Sequence, residues 1–198
     1  MIPALTIKEI EKHCTYHYEF DEKRIIGIMI ARYSIPQSQD MIKQQYDFWN
    51  RKTGKYLNVY WLGYGAYFFP NERGQFLVGD YGNDSSVFFD TNVFVNEVEK
   101  LEQYKEIRDE IGILLCNYYD GIIHLNESVF FNLEELMENN NQKLRLFADY
   151  LLKLCKKEHD VANATVKLKI KYSFLREKPT KYIKEAIKLL IEAAFSFL

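Results

Sequence analysis

The feature that most constrains the fold is an apolar run at residues 23–32, KRIIGIMIAR, which carries charge only at its two ends. An apolar segment of this length is typical of a β-strand that is buried on both faces at the centre of a sheet. The pattern after it predicts a helix at about residues 36–51, ended by Gly54, and then a strand at residues 56–62. Strand, helix and strand in this order predict a right-handed parallel crossover.

Hairpin signals predict antiparallel pairing elsewhere in the same sheet. Two turn-rich links separate short apolar segments, namely PNERG at residues 70–74 and Asp120-Gly121. Further helical patterns lie at residues 93–108, 144–157 and 181–197. Because we find no linker, repeat or low-complexity tract, residues 1–198 predict a single α/β domain. Its sheet is mixed, partly parallel and partly an antiparallel hairpin, with helices packed on its faces.

Residues 164–172, which include TVKLKIKY, allow two interpretations. The strict alternation predicts a half-buried edge strand with Lys167, Lys169 and Lys171 on its solvent face. The same residues are also tolerated in a helix. The choice between strand and helix stays open at this point.

The cysteines and the hydropathy pattern indicate where the chain works. Three cysteines, far apart and odd in number, argue against a disulfide framework and favour a reducing compartment, so we expect a cytoplasmic protein. No apolar stretch reaches 18 residues, so we expect no membrane segment. The chain contains no glycine-rich phosphate loop and no dinucleotide fingerprint, so we expect no cofactor.

The charge is divided between the two parts of the chain. Residues 1–152 carry 15 Lys/Arg against 23 Asp/Glu, a net charge of −8, and the rest carries 11 against 5, a net charge of +6. We expect the two parts to attract each other within one fold or across a homodimer. The basic part is also compatible with nucleic-acid binding, which the sequence does not favour.

An aromatic segment at residues 56–69, YLNVYWLGYGAYFF, contains two glycines. Glycines within such a strand predict a bulge or a close backbone approach. The rings of Trp61, Tyr64 and Tyr67 either belong to the core or form a surface that binds a ligand or a partner.

At residues 86–95, SVFFDTNVFV, a short apolar strand runs through Asp90-Thr91-Asn92 into a helical pattern. This resembles the opening signature of PIN-domain ribonucleases, in which the aspartate is the first metal ligand. The resemblance implies that Asp90 is a metal ligand, with Asn92 as the neighbouring polar residue, in a metal-dependent nuclease or phosphodiesterase. The other interpretation is that Asp90 caps the helix.

The last predicted helix, YIKEAIKLLIEAAFSFL, has apolar residues around more than half of its circumference. A helix that packs on a sheet by one face needs a stripe only about 100° wide. We therefore expect Leu190 and Phe197 to bind a second copy or another protein, unless the helix passes between two layers of its own domain.

No set of catalytic residues emerges, and whether the chain is an enzyme stays open, with a non-enzyme favoured. His13 and His17 are spaced like zinc ligands on a helix, but a zinc site needs three or four ligands. The sequence predicts a non-catalytic interaction or regulatory component of a multi-protein bacterial or phage system. The alternatives are the PIN-like nuclease and a nucleotide- or small-molecule-sensing domain, whose pocket would lie near Tyr33 and Tyr64.

Overall fold

The structure, a computed structural model, describes residues 2–19, 22–52, 54, 56–66, 74–80, 86–137 and 142–195. The strands are β1 (Ile2–Ala4), β2 (Arg24–Ile30), β3 (Val59–Leu62), β4 (Tyr64–Ala66), β5 (Gln75–Asp80), β6 (Ser86–Asp90), β7 (Gly112–Tyr119), β8 (Ile122–Asn132) and β9 (Glu177–Pro179). The α-helices are α1 (Ile7–His17), α2 (Pro36–Lys52), α3 (Thr91–Lys100), α4 (Gln142–Cys155), α5 (Val161–Lys171) and α6 (Lys181–Phe195). Short 3-10 helices span Glu102–Asp109 and Glu134–Leu136.

The larger sheet has six strands in the order β1-β3-β2-β7-β8-β9. Strand β2 pairs in parallel with β3, with Gly27 opposite Val59, and α2 connects the two strands. On its other edge β2 pairs antiparallel with β7, and its residues from Ile25 to Ile30 are buried. The central strand and the parallel crossover predicted from the apolar run are therefore confirmed.

Strands β7 and β8 form the hairpin predicted at Asp120-Gly121. Both turn residues have positive φ, 52° at Asp120 and 74° at Gly121, as a tight hairpin turn requires. The register shifts between Cys116 and Asn117, which places a β-bulge in the hairpin. Parallel and antiparallel pairs thus occur in one sheet with helices packed against it, and the mixed α/β class is confirmed.

A smaller antiparallel sheet has the strand order β4-β6-β5. The chain passes from β3 into this sheet at Gly63, where φ is +80°. A Cβ at Gly63 would lie 2.6 Å from Phe94 Cβ, and one at Gly65 would lie 2.5 Å from the Phe88 ring. The predicted close backbone approach is confirmed at both glycines. The segment 67–69 of the other predicted hairpin lies outside the described residues.

The helix predicted at residues 93–108 is in fact two elements. Helix α3 ends at Lys100, and a 3-10 helix follows it. The buried residues Leu101, Tyr104 and Ile107 recur every three positions, which matches the three residues per turn of a 3-10 helix. The helix predicted at 144–157 is confirmed as α4.

Residues 164–172 do not form an edge strand. Residues 161–171 form helix α5 instead. Asp160 caps the helix by accepting from the backbone N–H of Ala162 at 2.8 Å, and Thr165 Oγ1 donates to the Val161 carbonyl at 2.7 Å. Ile170, which the alternating pattern places in the core, is 80% exposed. The edge of the sheet is instead the short strand β9, which ends in Pro179 and pairs with β8.

Helices α5 and α6 pack against each other and against β8, and α4 contacts α2 and α5. Within the part of the chain that the structure describes, no helix combines the length and the apolar character that a membrane crossing needs.

Candidate interaction surface

Helix α6 is fixed to the body of the protein at its amino end. Thr180 is buried, its hydroxyl donates to the Asn126 carbonyl at 2.5 Å, and its carbonyl accepts from Lys184 N at 3.0 Å. Ile183 is buried, and Ala186 and Ile187 pack against the core as half-buried residues. These positions lie on one face of the helix, which is the face directed at α5 and β8.

Burial decreases toward the carboxyl end of the same helix. Leu189 is 65% exposed, Leu190 39% and Ile191 44%. Three consecutive helical residues point in directions about 100° apart. Their common exposure shows that this end of α6 extends past the surface that covers Ile183. We call Leu189, Leu190 and Ile191 the apolar end of α6.

Charges of opposite sign border the apolar end on its two sides. At 100° per residue, Glu185 and Glu192 lie within about 60° of Leu189 around the helix axis. By the same geometry Lys184 and Lys188 lie within about 60° of Ile191. Lys188 and Glu192 also form an exposed i,i+4 ion pair at 3.8 Å. The four charges share one arc of about 100° on the helix face opposite Leu190, and this arc is acidic next to Leu189 and basic next to Ile191.

Trp61 and Tyr64, the candidates for an aromatic surface, are fully buried. Their rings meet edge to face at a centroid distance of 5.7 Å, and Tyr64 Oη donates to the Ala31 carbonyl at 2.6 Å. Burial raises the pKa of Tyr64 well above its ordinary value. Both rings are therefore core residues and do not form an exposed surface. Tyr67 and Phe197 lie outside the described residues.

The place predicted for a ligand pocket in a sensing domain, near Tyr33 and Tyr64, is packed with aromatic rings. The Phe89 ring lies 4.9 Å from the Tyr64 ring and 6.4 Å from the Tyr33 ring, between centroids. Sequence reasoning placed the pocket at the carboxyl ends of the parallel strands by analogy with open α/β sheets. Here the side chains of β6 fill that end.

Asp90 caps α3. Its Oδ1 accepts from the backbone N–H groups of Asn92 and Val93, each at 3.0 Å, and Gln75 Nε2 donates to its Oδ2 at 3.4 Å. Asn92 is exposed in the first turn of the helix. Within the described ranges, no three His, Cys, Asp or Glu side chains are grouped so that they could hold a metal ion.

The lysines of α5 have partners within the chain. Lys167 pairs with Glu158, Lys169 pairs with Glu177 at 2.5 Å, and Lys171 Nζ lies 4.0 Å from the centroid of the Tyr150 ring. The acidic part of the chain also meets the basic part, since Lys178 pairs with Glu110 at 2.5 Å. The pair of Lys178 with Glu110 is an attraction between the two parts within the fold, of the kind that the divided charge predicts.

All three cysteines are buried free thiols. Burial raises the pKa of Cys14 to about 11 and that of Cys155 to about 12, and it raises the pKa of Cys116 further. A thiol with a raised pKa is a poor nucleophile at neutral pH, so these side chains act in packing.

Sequence reasoning named Leu190 as a candidate for binding but did not name Leu189 and Ile191, which are also exposed. The signal was present in the sequence, since three consecutive apolar residues cannot share one helix face. The class defined by the fold is a mixed α/β protein. In comparisons with protein-family models, with curated proteins and with solved structures, no match to this chain was found.

Proposed function

We propose that this chain is a non-catalytic interaction protein that binds a second copy of itself through the apolar end of α6. The observation that carries the proposal is the exposure of Leu189, Leu190 and Ile191 at the end of a helix whose beginning is buried. Apolar surface of this kind on a folded protein is typical of an interaction site. A structural role of Asp90, which caps α3, is consistent with this proposal.

The charge arrangement favours a second copy as the partner. In a two-fold dimer the same residues face each other, so a contact from one copy to the other is repeated in reverse. If two α6 helices lie parallel about the two-fold axis with Leu190 at the contact, Glu185 and Glu192 of one copy lie on the same side of the dimer as Lys184 and Lys188 of the other copy. Each dimer would then contain two sets of opposite charges that flank a common apolar contact.

The wider setting is proposed from the sequence alone. We propose that the dimer acts as a cytoplasmic regulatory component of a multi-protein bacterial or phage system. Because α6 would join two copies, the dimer would present two identical surfaces to its partners. The lysines of α5 are paired within the chain, so nucleic acid is not the partner that we favour.

The first test is the oligomeric state of wild type and of Leu189→Lys, measured by light scattering after size exclusion. We expect a dimer for wild type and a folded monomer for Leu189→Lys, because a buried charge in an apolar contact is strongly unfavourable. Leu146→Lys on α4 is the matched control, since Leu146 is 59% exposed, and it should remain a dimer. A wild type that is monomeric at high concentration rejects the proposal.

A charge exchange tests the partner's identity. The double variant Lys184→Glu/Lys188→Glu places like charges on both sides of the contact, as does Glu185→Lys/Glu192→Lys. We expect each variant alone to be monomeric and the mixture to form a heterodimer, because opposite charges then meet on both sides. If each variant alone remains a dimer, the contact lies elsewhere on the molecule.

A further inference from the structure

A cavity of about 380 Å³ lies at the amino ends of the parallel strands β2 and β3, which is the opposite end from the predicted pocket. Its volume is within the range of small-molecule sites. The described residues that line it come from α1, from the chain just after α1 and α2, and from the starts of β2 and β3: His13, His17, Tyr18, Arg24, Gly54 and Asn58.

The side chains that line this cavity include one positive charge and several groups that can donate hydrogen bonds. None of the six described lining residues is acidic. Arg24 lies with its guanidinium carbon 4.6 Å from the centroid of the Tyr18 ring, and its Nη2 donates to the Glu22 carboxylate at 2.6 Å. That ion pair fixes the position of the guanidinium and places one carboxylate beside it, so an incoming oxyanion would share the guanidinium with Glu22. Asn58 lines the cavity although it is only 5% exposed, and a buried amide of this kind can fix the orientation of a ligand.

His13 adds a further donor in the tautomer that carries its ring proton on Nε2. Asn58 Nδ2 donates to the Tyr60 oxygen at 3.4 Å, and the Tyr60 hydroxyl lies 2.9 Å from His13 Nδ1. Burial, together with the charge of His17, lowers the pKa of His13, so the ring is neutral at neutral pH. When Tyr60 donates to Nδ1, the ring proton is on Nε2 and can be donated to a ligand.

We propose that this cavity binds the oxyanion of a small molecule, either a phosphate monoester or a carboxylate. The Arg24 guanidinium supplies the charge, His13 and Asn58 supply neutral donors, and the ring of His17, which is tilted by 35° to that of His13 at a centroid distance of 4.1 Å, forms one wall. This site is separate from the apolar end of α6 and does not depend on dimer formation.

The first test is a titration of the isotope-labelled protein with inorganic phosphate, followed by NMR. We expect saturable shifts of the Asn58 side-chain amide and of the Arg24 backbone amide. His17→Glu should weaken binding about tenfold, because it adds a negative charge beside the ligand. Tyr16→Glu is the matched control. It adds the same charge to an exposed neighbour on α1 that is not among the described lining residues, and it should change the affinity by less than about twofold.

Two further titrations distinguish the sources of the oxyanion. Citrate tests a carboxylate ligand and adenosine monophosphate tests a phosphate monoester, and tighter binding of either than of inorganic phosphate supports the proposal and identifies the class. Two results overturn it: none of the three anions shifts the Asn58 amide, or His17→Glu and Tyr16→Glu weaken binding equally. The second result would show a general charge effect, provided that both variants keep the wild-type circular dichroism spectrum.

Discussion

The bulge between β7 and β8 buries polar side chains, whereas the end of α6 leaves apolar side chains exposed. At the bulge Asn117 and Glu127 are buried, and Asn117 Nδ2 donates to Glu127 Oε2 at 2.7 Å. Tyr119 Oη donates to the other oxygen of Glu127 at 2.7 Å, and Val161 N donates to Asn117 Oδ1 at 2.9 Å.

The difference shows that partners, and not hydropathy alone, decide which side chains are buried. A buried polar group is stable when its hydrogen bonds are complete, and the bulge completes them for Asn117 and Glu127. An apolar group that stays exposed to water costs free energy, and this cost is removed when another surface covers the group. The hydrogen bonds of the bulge are therefore complete within one chain, whereas the exposed apolar end of α6 is suited to a partner.

The largest effect is expected from Asn117→Ala. The change removes the donor to Glu127 and the acceptor for Val161 N, so we expect the free energy of unfolding to fall by about 2–3 kcal/mol. Chemical denaturation measures this loss. Asn126→Ala, at an exposed position on the same strand, is the control and should cost less than about 0.5 kcal/mol. Equal losses for the two variants would show that the bulge is not a stabilising polar cluster.

The ion pair beside the bulge should make stability depend on pH. Burial raises the pKa of Asp160, but the hydrogen bond from Lys23 at 2.5 Å and the capping N–H groups outweigh it, so the pKa lies below its ordinary value. A carboxylate whose pKa is lowered by folding stabilises the protein above its unfolded-state pKa. That stabilisation is lost as the pH falls through the folded-state pKa.

We therefore expect Asp160→Asn to cost about 1 kcal/mol at neutral pH and to flatten the loss of stability on acidification. Denaturation at a series of pH values measures both. Asp149→Asn, which removes a longer 3.8 Å pair with Lys52, should leave the pH profile as in wild type. A wild-type slope in Asp160→Asn would contradict the assignment.

The cap of α3 should contribute less than the bulge. We expect Asp90→Ala to cost about 1 kcal/mol and Asp90→Asn to restore most of it, because asparagine also caps helices. Cleavage assays with Mn²⁺ and Mg²⁺ on the same proteins test the PIN-like alternative. Cleavage by wild type that disappears in folded Asp90→Asn would establish the nuclease and reject the capping role as the function of Asp90.

The smallest effect on stability is expected at the apolar end of α6. Leu189→Lys should change the free energy of unfolding of the monomer by less than about 0.5 kcal/mol, because a mostly exposed side chain contributes little packing. The measurement is made at a concentration at which the variant is monomeric. A loss of several kcal/mol would mean that the chain itself covers Leu189, and the contrast with the bulge would disappear.

Periodicity and turn chemistry in the sequence determined several elements by themselves. The apolar run of β2 is typical of a strand covered on both faces, and Asp120-Gly121 supplies the positive φ of a tight turn. The stripe that contains Leu144, Phe147, Leu151 and Leu154 identifies α4 because each of these residues is buried on one face. In these segments local preference and tertiary environment agree.

The tertiary structure decided the rest, because local pattern does not say which neighbour a side chain meets. Residues 164–172 alternate like a strand, yet the Asp160 cap and the surface available on β8 and α4 stabilise a helix. The sequence pattern of Trp61 and Tyr64 allows a surface as well as a core. In the fold Trp61 packs on Tyr64 and Tyr64 packs on Phe89, and both rings are buried. The cavity at His13 and Asn58 depends on strands that are far apart in sequence, so its residue set exists only once β2 and β3 pair.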